Sequence, residues 1–345
     1  MAGLCAAAHA TEQGASVLVL EKGDRAGGSM LLSSGVVWRY RDFARFREEC
    51  PTGNEQLQRT VHEGVDDGLE WLISLGAPVV LPDTGNPDTH GFRFDTRGMT
   101  DSLVRAGGEL RVNEPLRSLP DDTPVILATG GFQGDRELVR RYITPEVDDV
   151  TLRSNPWSTG DGLRFGLEAG ADLTPGMDEF WGRNMPAPPA QLDSRGFVPL
   201  GQLYARFAKV ENVRGERYEA RTWSEIDVTQ WTAKQPQARA WYHVADEMLG
   251  QHVRDHTVGE LIEAARLAGG PVKRTNGTTT VEVVAGMTTT IGGLSVGPDC
   301  RIVDGLYACG ADIGGISTGG YSSGLAAALV LGRLAAEAAL SGRAG

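Results

Sequence analysis

The first 29 residues carry part of a dinucleotide-binding pattern, and this part constrains the fold more than any other feature. The full pattern is a strand, a glycine turn, a helix, a second strand and an acidic residue about 20 positions after the glycines. Gly3 fits the last glycine of G-x-G-x-x-G, and an Ala-rich segment and a Val/Leu run lead to Glu21, 18 positions later. We expect the helix N-terminus to bind a pyrophosphate and Glu21 to bind a ribose hydroxyl, with Lys22 beside it.

The same alignment predicts that part of the pattern lies upstream of Met1. Met1 and Ala2 occupy the two free positions before Gly3, so the first two glycines and the first strand would precede them. A sheet without that strand exposes an unpaired edge. One hypothesis for the chain is therefore a non-catalytic remnant with weak or no cofactor binding.

Composition excludes several classes of protein. The length of 345 residues predicts two domains, and 41% hydrophobic with 23% charged residues is ordinary for a globular protein. A net charge of −12 argues against nucleic acid or an anionic membrane as the main partner. The sequence has no uninterrupted run of 18 apolar residues, so we predict no membrane span.

The four cysteines are scattered along the chain, at Cys5, Cys50, Cys300 and Cys309. They form no C-x-x-C pair, and no histidine lies at a spacing suited to zinc, so we expect no metal site. Cysteines of this kind are typical of reduced, mostly buried thiols. They predict a cytoplasmic location.

Three further segments place glycine or small polar residues beside predicted strand or helix ends. The first follows the second strand, the second follows the buried parallel strand predicted over 124–127, and the third precedes a helix over 163–169. Such residues serve as ordinary turns or N-caps, or they let main chain approach a long cofactor. The candidates are Gly27, Gly28 and Ser29, then Ala128, Thr129 and Gly130, and finally Asp161.

Strand–helix alternation stops between residues 175 and 284, where tryptophans and prolines cluster. We predict a second domain over 175–284, inserted into a first domain formed by 1–174 and 285–345. The fold class is α/β: a Rossmann-like domain with a mostly parallel sheet that lacks its first strand, and an inserted α+β capping domain.

The motifs, in order, resemble the flavoprotein family of fumarate reductase, succinate dehydrogenase and ketosteroid dehydrogenase. They read VLVLEK, GGS, ILATGGF, STGDGL, TTTIGGL, GLYACGAD and SGLAAALVLGR. Residues 215–246, with AGMTTTIGGL and YSSGL, are most similar to tricarballylate dehydrogenase-like members. The resemblance implies an FAD-dependent oxidoreductase that moves a hydride to or from flavin N5 at CH–CH bonds. Its substrate would be a small organic acid or a ring ketone, and its electron acceptor is open.

The resemblance also implies roles for particular residues. The glycines and polar residues named above would line a non-covalently bound FAD, because the loop after the second strand has no histidine. Asp312 would lie near the ribityl chain, and Ser323, Gly324 and Leu325 would begin the helix whose N-terminus faces the flavin pyrimidine. Arg221 is the first candidate for the catalytic arginine and Arg217 the second, against solvated surface arginines. Tyr321 could donate a hydrogen bond at the flavin edge or be a packed loop residue.

Two departures from fumarate reductases concern the groups that clamp a dicarboxylate. Thr288-Thr289 stands where those enzymes have a histidine, and Gly319 stands where they have an arginine. Both argue against fumarate or succinate as substrate. An NAD-dependent Rossmann dehydrogenase is a third hypothesis, which the ATGGF and GLYACGAD segments disfavour.

Overall fold

The computed structural model describes residues 1–220 and 224–342. Its helices, in chain order, are α1 (Ala2–Glu12), α2 (Phe43–Glu49), α3 (Glu55–Ser74), α4 (Thr96–Ala106), α5 (Arg136–Tyr142), α6 (Asp161–Glu168), α7 (Ile226–Ala233), α8 (Val258–Leu267) and α9 (Gly324–Ser341). Its strands are β1 (Leu18–Glu21), β2 (Val36–Tyr40), β3 (Val79–Leu81), β4 (Thr89–Phe94), β5 (Glu109–Val112), β6 (Val125–Leu127), β7 (Thr151–Leu152), β8 (Phe180–Pro186), β9 (Lys209–Glu211), β10 (Arg239–Ala245), β11 (His252–Val253), β12 (His256–Thr257), β13 (Val272–Thr275), β14 (Thr278–Thr290), β15 (Arg301–Val303) and β16 (Leu306–Ala308).

The chain divides into two compact units. Unit 1 comprises Met1–Phe132, Asn155–Met177 and Thr290–Gly345, and unit 2 comprises Gln133–Ser154 and Asp178–Thr289. The predicted boundaries leave 133–154 in the first domain, whereas the structure groups them with unit 2. The reason is a strand pairing: β7 lies parallel to β14, with Thr151 opposite Gly286.

Unit 1 contains the parallel strands expected of an α/β fold. β1 pairs in parallel with β5, and β6 pairs in parallel with β16, which also pairs antiparallel with β15. A separate antiparallel sheet has the order β2-β4-β3. Helix α1 packs on α9, and this approach is close because Gly332 has no side chain. A Cβ there would lie 2.5 Å from the Ala2 carbonyl oxygen.

Helix α9 supplies much of the buried surface of unit 1. Ser323 caps its N-terminus by accepting a hydrogen bond from the Ala326 N–H, and its Ala and Leu residues are largely buried. By length and composition α9 would also qualify as a membrane span, but 56% of it is buried within the protein. A core helix has this degree of burial.

Unit 2 is built on a six-stranded sheet with the order β13-β14-β10-β9, with β7 and β8 also paired to β14. Strand β10 alternates strictly, so that Ala240, Tyr242 and Val244 are buried in the core. Helix α8 is closed by a reciprocal capping box between Thr257 and Glu260. Helices and antiparallel strands together give this unit an α+β character.

All four cysteines are buried and free of disulfides, as predicted. Burial raises the pKa of Cys5 and of Cys300 to about 12 and holds that of Cys309 well above its usual value. These thiols therefore stay protonated and act as small apolar side chains in the core.

Candidate functional site

The end of β1 forms a tight acidic turn. The Oε1 atom of Glu21 accepts a hydrogen bond of 2.6 Å from the Gly23 N–H. The ring of Trp157 packs on Gly23 so closely that a Cβ there would lie 2.6 Å from a ring carbon. Lys22 Nζ lies 2.6 Å from Asp161 Oδ2 and also donates to Thr159 Oγ1. The first residues of α6 thus fix the position of the β1 turn.

Two glycine sites permit a close approach of main chain in unit 1. Gly3 lies in the first turn of α1, where a Cβ would be 3.0 Å from the Ala128 Cβ. Close helix–strand packing of this kind is the role of the third glycine in a dinucleotide motif. Gly27 and Gly28 have φ of +105° and +54°, and the nearest atom to a Cβ on Gly28 is 3.7 Å away. The main chain therefore has space beside it at Gly28, whereas a Cβ on Gly27 would lie 2.8 Å from the Leu31 side chain.

The turn after β6 is organised by a buried carboxyl group. Both the N–H and the Oγ1 of Thr129 donate to Asp312, the latter at 2.9 Å, and the Gly131 N–H donates at 3.4 Å. Thr129 Oγ1 in turn accepts from the Gly162 N–H at 3.0 Å. Burial raises the pKa of Asp312, and these hydrogen bonds oppose the rise. Asp312 therefore faces the Thr129–Gly131 turn and stabilises its main-chain conformation.

Asn155 is not among the site residues predicted from the sequence, and its side chain links two of these turns by hydrogen bonds. Its Nδ2 donates to Ser29 Oγ at 2.7 Å and to Ser158 Oγ at 3.1 Å. Its Oδ1 accepts from the Trp157 and Ser158 N–H groups. The signal that could have found it is the Asn155-Pro156 pair, because Asn-Pro favours the start of a turn.

The N-terminus of α9 carries three of the predicted flavin contacts. Ser323 is the N-cap, and the partly exposed Gly324 and Leu325 begin the helix. Tyr321 precedes them; its carbonyl accepts a hydrogen bond of 2.7 Å from Tyr40 Oη. The Tyr321 ring is tilted against Trp38, with centroids 5.5 Å apart. A helix N-terminus carries partial positive charge, which suits a group that becomes negative on reduction.

Of the two predicted arginines, the structure describes Arg217, which lies in unit 2. Arg217 is exposed, and its main chain forms an isolated antiparallel β-bridge with that of Glu211. Arg221 lies outside the described residues. Arg153 donates to Thr288 Oγ1 at 2.7 Å and to the Phe197 carbonyl, so the threonine at the predicted departure from fumarate reductases contacts a guanidinium group.

Unit 2 also holds a titratable group that the sequence did not indicate. Glu225 is half-buried at the N-cap of α7 and accepts from the Ala205 N–H at 3.3 Å. Burial raises its pKa from 4.5 to about 7, and Asp227 adds to the rise. Arg183 and Arg206 act in the opposite direction.

Comparison with known proteins gives two family matches. Residues 106–325 match a family described as FAD binding domain, and residues 1–35 match one described as NAD(P)-binding Rossmann-like domain. A probable fumarate reductase of Shewanella frigidimarina is 24% identical over 97% of this chain and 72% of its own length. A vinyl phenol reductase of Lactiplantibacillus plantarum is 26% identical over 49% of the chain. The chain spans 44% of the length of the latter and 38% of a cytochrome-type fumarate reductase of Shewanella frigidimarina.

Two solved structures share the fold. The open conformation of a flavocytochrome c3 fumarate reductase matches with a TM-score of 0.73 and 20% identity, over 99% of this chain and 76% of the other. A 3-ketosteroid-Δ4-(5α)-dehydrogenase from Rhodococcus jostii RHA1 matches with a TM-score of 0.70 and 17% identity, over 98% and 94%. At these identities the likeness concerns the fold.

Proposed function

The chain belongs to the family of FAD-binding domains, and from this membership we propose that it is an FAD-dependent oxidoreductase that acts on CH–CH groups. The observation that carries the proposal is the family match, which covers most of the chain. The flavoprotein family and the cofactor predicted from the sequence are thereby confirmed. The similarity to curated reductases favours the enzyme over the remnant. The finer resemblance to tricarballylate dehydrogenases stays a prediction, as does non-covalent attachment of FAD.

The residues of unit 1 fit an FAD molecule. The space beside the main chain at Gly28 and the close packing at Gly3 suit a pyrophosphate. Glu21 would accept from the adenosine ribose, as the acidic residue of such motifs does. The Thr129–Gly131 turn and the N-terminus of α9 would hold the flavin half. When bound, FAD supplies the hydride acceptor or donor of the reaction.

The protein's own task in such a reaction is to orient the substrate and to move a proton at the carbon next to the hydride. Arg221 and Arg217 remain the candidates from the sequence, and Tyr321 remains a candidate hydrogen-bond donor. Glu225 joins them as a proposal, because a carboxyl group whose pKa is about 7 both accepts and releases a proton near neutral pH.

We propose a small organic acid or a ring ketone, other than fumarate or succinate, as the substrate. Gly319 has a φ of +86°, and a Cβ there would lie 2.9 Å from Thr52 Oγ1. An arginine at this position would therefore be strained. The electron acceptor is a separate, unidentified molecule, and the cytoplasmic location stays a prediction.

The test is a flavin absorbance spectrum of the purified protein, with and without added FAD, followed by anaerobic substrate screening. We expect bound flavin that is bleached by a saturated acid or ketone, or reduced flavin that is reoxidised by its unsaturated counterpart. The matched variant Glu21→Ala should bind FAD more weakly, because it loses the predicted ribose contact. A wild-type protein that binds no FAD when FAD is in excess would contradict the proposal and favour the remnant.

A further inference from the structure

Residues 155–161 form a short segment of unit 1. This segment contacts the end of β1, the Gly27–Ser29 loop and the Thr129–Gly131 turn, where the sequence predicts contacts with FAD. Asn155 reaches the Gly27–Ser29 loop, and Ser158 Oγ donates to the Thr129 carbonyl at 3.3 Å. Trp157 packs on Gly23, and Asp161 pairs with Lys22. Three of these contacts bridge more than 100 positions of sequence, and the Ser158–Thr129 hydrogen bond bridges 29. The segment therefore ties together turns that no local pattern relates.

Asn155 is the centre of this segment. Its side chain is buried, and the hydrogen bonds described above occupy both its amide nitrogen and its oxygen. A buried amide held at both ends has a fixed orientation, since rotation would break several bonds at once. Asn155 consequently fixes the distance between Ser29 and Ser158. Because Ser158 donates to the Thr129 carbonyl, the distance between Ser29 and that carbonyl is fixed as well.

Ser158 packs closely on Gly130, whereas Asn155 lies at ordinary van der Waals distance, 3.7 Å, from a Cβ built on Gly28. A Cβ on Gly130 would lie 2.8 Å from Ser158 Oγ, and a Cβ on Gly28 would have Asn155 Nδ2 as its nearest atom. Both glycines have positive φ. Asn155 and Ser158 thus occupy the side of each turn on which a residue with a side chain would project.

We propose that Asn155 is a positioning residue for FAD: it fixes the Gly27–Ser29 loop relative to the Thr129–Gly131 turn, so that both can bind one cofactor. This inference rests on the proposed function. Asn155 acts through Ser29 and Ser158. If the two turns were disordered before FAD bound, the cost of ordering them would lower the FAD affinity. The Asn155 hydrogen bonds order the turns before FAD binds and so remove this cost.

The test is a double-mutant cycle on FAD affinity with Asn155→Ala and Ser29→Ala. Loss of one hydrogen bond of this kind weakens binding by about tenfold. We expect each single variant to raise the FAD dissociation constant by about tenfold, and the double variant to raise it little further. Such non-additivity shows that the two residues act as one unit. The visible circular dichroism of the bound flavin should change in the same variants, because its surroundings are less ordered.

Asn184→Ala is the matched control. Asn184 is a buried asparagine of unit 2 that donates to Thr232 and to Tyr242, so its loss removes two side-chain hydrogen bonds from the core. It should lower the melting temperature, by less than Asn155→Ala because it removes two hydrogen bonds and Asn155→Ala removes at least four, and it should leave the FAD dissociation constant unchanged. A merely structural role for Asn155 would likewise leave the FAD dissociation constant unchanged.

An Asn155→Ala variant with an unchanged FAD dissociation constant would overturn the proposal, whatever its melting temperature. If that variant does not fold, Ser158→Ala carries the test, since it removes the hydroxyl that links Asn155 to the Thr129 carbonyl and Ser158 is not a predicted FAD contact. Unchanged affinity in a folded Ser158→Ala protein also overturns it. Failure of the wild type to bind FAD would instead contradict the proposed function itself, and with it this inference.

Discussion

Two acidic side chains, one in each unit, are removed from water in different ways. In unit 1, Asp312 accepts hydrogen bonds from the Thr129 N–H, the Thr129 hydroxyl and the Gly131 N–H. In unit 2, Glu225 has the Ala205 N–H as its donor within the described residues, together with the charges of Arg183 and Arg206. Burial raises the pKa of both carboxyl groups.

The difference lies in what surrounds the oxygens. Main-chain donors in a turn cannot move away, so Asp312 and the Thr129–Gly131 turn fix each other. Glu225 is half-buried, and the positive charges of Arg183 and Arg206 act on it through space. A buried carboxyl group with several main-chain donors, such as Asp312, thus serves structure, whereas Glu225, to which the described residues contribute the Ala205 N–H, is suited to exchanging protons.

The largest effect should come from removing the first of these carboxyl groups. Asp312→Ala leaves the N–H groups of Thr129 and Gly131 buried without an acceptor, which costs about 3 kcal/mol of unfolding free energy. The turn also loses its shape, so FAD affinity should fall. Urea unfolding and FAD titration of the same protein measure both. Asp304→Ala is the control, because the Asp304 side chain is 98% exposed and its pairing with Arg301 contributes little.

A smaller change tests whether the position of this carboxyl group matters while its chemistry is kept. A Cβ on Gly162 would lie 2.7 Å from the Asp312 carboxyl carbon. Gly162→Ala should therefore destabilise the protein by about 2 kcal/mol, since the carboxyl group cannot move without breaking its hydrogen bonds. The control is Gly250→Ala, where a Cβ meets no atom within 4 Å. Equal unfolding free energies for the two variants would show that Asp312 is free to shift, contrary to the comparison.

Local patterns in the sequence predicted the elements well. The apolar spacing and Gly76 predict a helix over 55–75, and α3 covers Glu55–Ser74; the run before Ala128 predicts β6. The glycines at the ends of these elements predict turns, because few other residues adopt their backbone conformations.

The links between elements could not be predicted in this way. Asp312 lies 183 positions from Thr129, and Asn155 lies 126 positions from Ser29. Neither pairing leaves a periodic signal, because each depends on where the folded chain brings distant turns together. Gly162 looks like an ordinary glycine of a first helical turn until Asp312 is placed beside it. The assignment of 133–154 to unit 2 depends likewise on the pairing of β7 with β14.

The smallest and most directional effect concerns Glu225. Its pKa in the folded protein is about 7 and its ordinary value is 4.5, so between these values the folded state holds a proton that the unfolded state has released. The free energy of unfolding therefore falls as the pH rises from 4.5 to about 7. Glu225→Gln stays neutral and should lack this decrease. Denaturant unfolding of both proteins across this range measures the difference, which should grow in favour of the variant as the pH rises.

Glu211→Gln, in strand β9 of the same unit, is the control, because the pKa of Glu211 is shifted in the opposite direction from that of Glu225. The Lys209 ammonium group, 2.5 Å from the Glu211 carboxylate, lowers the pKa of that group. Its contribution to stability is present above pH 4.5 and is lost as the pH falls through the lower folded pKa. The two variants should thus diverge from the wild type in opposite directions and in different pH ranges. If Glu225→Gln instead followed the pattern of Glu211→Gln, the effect of Arg183 and Arg206 on the Glu225 pKa would outweigh that of burial. Glu225 would then be a permanently ionised partner of these arginines. It would be unable to exchange protons near neutral pH.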